Sequence, residues 1–164
     1  MPPEDEPLAY AFVRQSLAAA KNRVRAQKAA QEKNPREALF LALALGQEVQ
    51  AKKALLFLRG RIGSTAENLA EALQESREMA METLPWTVLA QADGDRAAGA
   101  LLVQMARALA SHLALRETEG PTGYHVCAIC GYIHAGENPG RCPVCQALPE
   151  KFTAIAAGLH PTGR

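Results

Sequence analysis

Four cysteines lie in one short stretch toward the C-terminus, as Cys127-Ala-Ile-Cys130 and Cys142-Pro-Val-Cys145, and the chain holds no others. A Cys-x-x-Cys knuckle folds two sulfurs onto one side of a tight turn. Two knuckles separated by eleven residues can therefore close a four-sulfur cage around one metal ion. Soft thiolate cages select iron or zinc. Iron would make the chain an electron carrier, and zinc would make the same cage a structural clip; spacing leaves both open. With either ion, a module of ~30 residues buries too little apolar surface to fold without its metal. A disulfide-exchange role is disfavoured, because the βαβ context of thioredoxin-like motifs is missing. His125 and His134 flank the knuckles, and with four thiolates already present they read as surface or supporting groups. Tyr124, Tyr132 and Phe152 read as the small aromatic core of the module.

The elements that must position this cage are mostly helical. At 164 residues the chain suits one medium domain, or one domain plus a small module. Its net charge of +1 gives no reason to expect nucleic acid or a membrane surface as partner. Aromatic residues make up only 5%, while alanine and leucine dominate the first two thirds, as in helices packed through small and aliphatic side chains. The polar start Met-Pro-Pro-Glu-Asp-Glu-Pro7 offers no secretory core, and no apolar run approaches the ~18 residues needed to span a bilayer. A cytoplasmic protein is expected, and a reducing compartment keeps thiols free for metal.

Residues 7–33 read as a first helix, ended at Asn34-Pro35 because the residue before proline is biased away from the helical region. Residues 35–59 read as a second helix, ended by Gly60 and Gly63. Ser64-x-x-Glu67 is a capping box opening a third helix to about residue 91, with Pro85 expected to kink it. Asp93-Gly94 is a turn, and residues 95–118 read as a fourth helix. Gly120-Pro-Thr-Gly123 is expected as a linker, residues 124–153 as short strands and turns around the metal, and residues 154–164 as a tail without an assigned role. The expected architecture is mainly α: a four-helix bundle over 1–119, the linker 120–123, and a small metal-binding β module over 124–164.

The segment Tyr124-His-Val-Cys-Ala-Ile-Cys-Gly-Tyr-Ile-His-Ala-Gly136, with Arg141-Cys-Pro-Val-Cys145, resembles the rubredoxin-type module of rubrerythrins. Gly63-Ser-Thr-Ala-Glu-Asn-Leu69 is similar to the opening of the third helix in that family. The resemblance implies a ferritin-like four-helix bundle followed by a rubredoxin-like domain. It also implies one iron held by Cys127, Cys130, Cys142 and Cys145, a homodimer, and a redox partner protein. Rubrerythrins commonly act as peroxide reductases through a di-iron site in the bundle. Gly131 after the first knuckle fits the rubredoxin pattern, whereas Gln146 stands where that pattern usually has glycine.

The bundle departs from the family at its metal ligands. A di-iron site takes carboxylates from several helices and Glu-x-x-His from two of them, because i, i+3 spacing puts both ligands on one face. Here the second helix has Gln47-x-x-Gln50, and an internal match places Leu101 and Gln104 at the corresponding positions of the fourth. The first helix has Ser16 near the expected carboxylate, and the third has Ser76 and Met79. His112 has no acid three residues before it, and Glu71, Glu75, Glu78 and Glu82 read as a solvated stripe. The residues therefore predict no di-iron centre and no peroxidase activity. The glutamines are expected to bond to one another or to face solvent. The reading is an electron-transfer protein with one Fe(Cys)4 centre; the alternative is a non-enzymatic scaffold or regulatory module with structural zinc.

Overall fold

The structure is a computed structural model and describes residues 6–58, 62–117 and 123–156. The helices are α1 (Glu6–Gln31), α2 (Glu37–Phe57), α3 (Thr65–Ala92) and α4 (Arg96–Leu113). A 3-10 turn over Ala114–Glu117 follows, then β1 (Gly123–Cys127), β2 (Ile133–Ala135) and β3 (Phe152–Ala156). The chain divides into two compact units, Met1–Ser64 and Thr65–Arg164. The first is the α1–α2 hairpin. The second holds the α3–α4 hairpin together with the cysteine module.

Local chemistry explains the hairpin bends. At the end of α1 the amide of Asn34 donates to Ala29 O at 2.8 Å and that of Lys33 to Ala30 O at 3.0 Å. This is the paired closure of a helix through a left-handed residue, here Lys33 at φ 52°. Asn34 Oδ1 then accepts from the amide of Arg36 at 3.0 Å, turning the chain into α2. Asp93-Gly94 repeats the device: Asp95 N donates to Ala90 O at 2.9 Å, and Gly94 takes φ 75°. Asp95 then caps α4, its carboxylate accepting from Ala98 N at 2.9 Å. The helix α3 opens directly after Ser64, as the capping box requires, and runs as one assigned helix through Pro85. Proline has no N–H to donate to the preceding turn.

Inside the first hairpin the contact is built from alanine. Ala19, Ala26, Ala29, Ala44 and Ala51 are its buried helical apolar residues, while Leu39, Leu43 and Val49 stay exposed. Small side chains let two helix backbones approach closely, but they bury little apolar area each. One polar group sits among them. Asn22 is only 4% exposed, and it spans the hairpin by donating from Nδ2 to Gln47 Oε1 at 2.9 Å. Its Oδ1 accepts from Arg25 Nη1 at 2.8 Å. Both ends of the buried amide are thereby satisfied.

In the module β1 is the central strand, with β2 and β3 antiparallel on either side. Pairings such as His125 with His134 and Tyr124 with Ile155 set the register. Two expectations shift by a few residues. Gly123, read as linker, already belongs to β1, and a Cβ there would come within 3.1 Å of Ile155 O, so strand pairing itself calls for glycine. Residues 154–156, read as tail, complete β3. The expected linker residues 120–122 and the tail 157–164 lie outside the described residues.

Candidate metal centre

Both knuckles use the same backbone device. In the first, the amide of Gly131 donates to Cys127 O at 2.9 Å and that of Cys127 to Tyr132 O at 2.9 Å. In the second, Gln146 N donates to Cys142 O at 2.9 Å and Cys142 N to Ala147 O at 3.0 Å. The loops thus pair residue for residue, Gly131 with Gln146. The fifth residue of each loop must turn left-handed: Gly131 has φ 77° and Gln146 has φ 61°. Glycine reaches that region freely, whereas a side chain costs about 1–2 kcal/mol there. Replacing Gln146 with glycine is expected to relieve about 1 kcal/mol in the second knuckle. A higher melting temperature of the metal-loaded protein, with slower metal loss to a chelator, is the result that checks it.

The four sulfurs converge. Cys127, Cys130, Cys142 and Cys145 offer ligand atoms that all lie within 4.8 Å of one another. Cys127 Sγ is 3.6 Å from Cys145 Sγ, and Cys130 Sγ is 3.5 Å from Cys142 Sγ. These separations are far too long for S–S bonds, and all four cysteines are free. They match the edge of a tetrahedron with metal–sulfur bonds of about 2.3 Å, which is roughly 3.8 Å. Among the described residues this is the only group of three or more metal-type side chains so placed. The donor set fits one iron or one zinc.

Burial and backbone amides act in opposite directions on these thiols. Cys127 and Cys142 are 1% and 0% exposed, and burial opposes a charged sulfur. For Cys127, burial pushes the thiol up, but the amides of Ile129 and Cys130 and the neighbouring thiols outweigh it, and the net shift is downward. Burial dominates for Cys130 and Cys145, whose thiols are pushed up despite amides from Tyr132 and Ala147. A cation in the cage reverses this cost, since its charge favours thiolate at every ligand. Tyr132 is also raised, by burial first and by the Cys142 sulfur second.

The flanking residues take supporting places. His125 Nδ1 lies 2.8 Å from Gly136 O and ties the β1–β2 end, and His134 Nδ1 lies 3.2 Å from the Tyr132 hydroxyl. Tyr124, Tyr132 and Phe152 are half-buried, so the most buried residues of the module are Cys127 and Cys142 rather than its aromatics. His112, on α4, places Nε2 at 3.2 Å from the carbonyl of Gly131, the residue after Cys130. Val144, inside the second knuckle, lines a cavity of about 420 Å³ with Gln91, Gln104, Arg96 and Arg107 of α3 and α4. Helix α4 therefore bonds to the first knuckle, and the second knuckle shares a cavity with α3 and α4.

At the positions expected to carry bundle ligands, Gln47 bonds to Asn22, a partner not anticipated from the sequence, while Gln50 is exposed. Ser76 Oγ donates to Ala72 O at 3.0 Å, and Ser16, Met79 and Leu101 are exposed. Glu71, Glu75, Glu78 and Glu82 are all exposed.

Comparison with known proteins follows the same division. Residues 125–153 match the family described as rubrerythrin, rubredoxin-like domain. Nigerythrin from Nitratidesulfovibrio vulgaris is 52% identical over 31 residues, which is 19% of this chain and 15% of that protein. Among solved structures, the mixed-valence state of nigerythrin matches with a TM-score of 0.52 at 22% identity, covering 92% of this chain and 86% of the other. The fully reduced, all-ferrous state of nigerythrin matches with a TM-score of 0.50 at the same identity and coverage. At this identity the likeness shows the fold: four helices followed by a small antiparallel sheet. Among the described residues no helix is long and apolar enough to cross a membrane.

Proposed function

We propose that this chain is a rubrerythrin-like electron-transfer protein with a single Fe(Cys)4 centre and a degenerate di-iron site. The observation that carries the reading is a complete four-sulfur cage in a chain whose helices hold Gln47, Gln50, Gln104, Ser76 and Leu101 at the expected ligand positions. Iron in the cage supplies a one-electron ferrous–ferric couple. Cys127 and Cys142 are fully buried and shield one side of the cage, while Cys130 and Cys145 are half-buried. The amides of Ile129, Cys130, Tyr132 and Ala147 point at sulfur and stabilise its negative charge. Ile129 and Leu148, exposed at 58% and 44%, give an apolar edge on which a redox partner protein can dock. Nigerythrin, whose sequence is half identical over this module, is known in several reduction states, which supports iron over zinc. The protein works as a homodimer in the cytoplasm, with neither nucleic acid nor membrane as partner.

A scaffold built on structural zinc is the second reading, and the strained Gln146 favours it, since a clip tolerates a less regular knuckle than a tuned redox centre. A visible spectrum before and after dithionite, with elemental analysis on the same sample, separates the two. Red protein with about one iron per chain that bleaches on reduction is expected. Colourless protein with one zinc moves the function to the scaffold.

A further inference from the structure

We propose that His112 is a positioning residue for the metal centre: its bond to the Gly131 carbonyl strengthens the hydrogen bond from the Tyr132 amide to the Cys130 sulfur and raises the reduction potential of iron held there. This deepens the electron-transfer reading above and rests on it for the identity of the metal.

Both bonds belong to one peptide unit. Gly131 O and Tyr132 N–H lie across the same amide, which is trans, so they point in opposite directions. On one side His112 Nε2 stands 3.2 Å from Gly131 O. A carbonyl only accepts, so Nε2 carries the proton and donates. On the other side the Tyr132 amide donates to the Cys130 sulfur. The unit is held in that orientation from both ends: Gly131 N donates to Cys127 O, and Tyr132 O accepts from Cys127 N, each at 2.9 Å. Donation to a carbonyl polarises the whole amide and makes its N–H a better donor, so bonds in series strengthen one another.

The second knuckle carries the same series independently. There the Ala147 amide donates to the Cys145 sulfur, and the carbonyl of that peptide unit, Gln146 O, accepts from Arg141 Nη1 at 3.3 Å. In both knuckles, then, the carbonyl of the left-handed residue takes a donor from outside the loop. The two differ in where the donor comes from. Arg141 belongs to the module, next to Cys142, whereas His112 comes from the last turn of α4. The module and the α3–α4 hairpin form one compact unit, with β2 packed on α4. The hairpin thereby contributes a group to the electronics of the cage as well as support.

The sign follows from charge. Iron with four thiolates carries one more negative charge when reduced, so a donor aimed at sulfur favours the ferrous form. Strengthening of about 10–30% per bond, on a charge-assisted bond, amounts to roughly a twofold shift in the ferrous-to-ferric ratio at a fixed poise. For one electron that is about 18 mV, at 59 mV per tenfold.

Reduction potentials of the full iron-loaded chain, measured on native protein, His112→Leu and His112→Gln, test this. Leucine has no donor, while glutamine carries an amide nitrogen at nearly the reach of Nε2. The potential of H112L is expected to fall by about 18 mV, and that of H112Q to stay with the native value. In cadmium-loaded protein, the coupling between the metal and the Tyr132 amide proton, carried through the N–H···S bond, is expected to weaken in H112L and to persist in H112Q. Should H112L not retain its metal, His112→Asn, whose amide is too short to reach Gly131 O, takes its place with the same expectations. Equal potentials in all three proteins, or equal falls in H112L and H112Q, overturn the proposal and leave the iron reading standing. A chain that takes up zinc and refuses iron overturns that reading and the tuning with it.

Discussion

Replacing Cys142 with serine is expected to abolish metal binding and to unfold residues 123–156 while the four helices keep their far-UV signal. Cys142 is fully buried, its amide and carbonyl both close the second knuckle, and its sulfur lies 3.5 Å from that of Cys130. Serine removes a soft ligand and leaves a hydroxyl in a cage of sulfurs. The three-stranded sheet has half-buried aromatics and few fully buried apolar groups to hold it otherwise. Structural thiolate metals contribute about 10–16 kcal/mol of apparent binding energy in small modules, as much as the whole stability of a typical domain. Elemental analysis should fall from about one metal per chain to the background of a chelator-treated control, and near-UV dichroism from the module should vanish. Full metal occupancy in the variant would show that the cage is not what holds the ion.

Hydrogen peroxide, supplied with NADH and a matching reductase, is expected to disappear no faster than in a protein-free control. Two bridged irons need several anionic ligands, and neutral amides cannot balance that charge. Gln47 spends its carbonyl oxygen on Asn22, and Asn22 in turn accepts from the guanidinium of Arg25. A cationic side chain bonded into that network opposes a pair of metal cations beside it. An active peroxidase accelerates its reaction by a million-fold or more, so genuine turnover would stand clear of the control. Turnover above the control, or about three irons per chain, would show that the bundle finds ligands elsewhere.

Much of this was legible in the residues. The cage was readable because four cysteines at that spacing have few other uses, and the left-handed residue after each knuckle could be located by comparing the two loops. Asn34-Pro35 and Asp93-Gly94 marked the bends because their physics is local. The contacts across elements were hidden. Nothing near Asn22 indicates that it faces Gln47, and nothing near His112 points to Gly131, since both depend on how distant segments pack. The compact division at Ser64 was hidden for the same reason: it follows from which helices pack as pairs, whereas composition shifts only near residue 120.

The two lips of the cage differ in one respect. Gly131 rests in its turn at no cost, while Gln146 holds the same turn against its own side chain. A cage with one relaxed and one loaded lip has a preferred order of dismantling. The Cys142–Cys145 lip is the side on which an ion is expected to lose its first ligand and on which an incoming ion is expected to be gripped last. Metal exchange is therefore expected to be biased toward the Gln146 side, by no more than the roughly 1–2 kcal/mol that its left-handed turn costs, and the residue that departs from the rubredoxin pattern becomes the latch on that door.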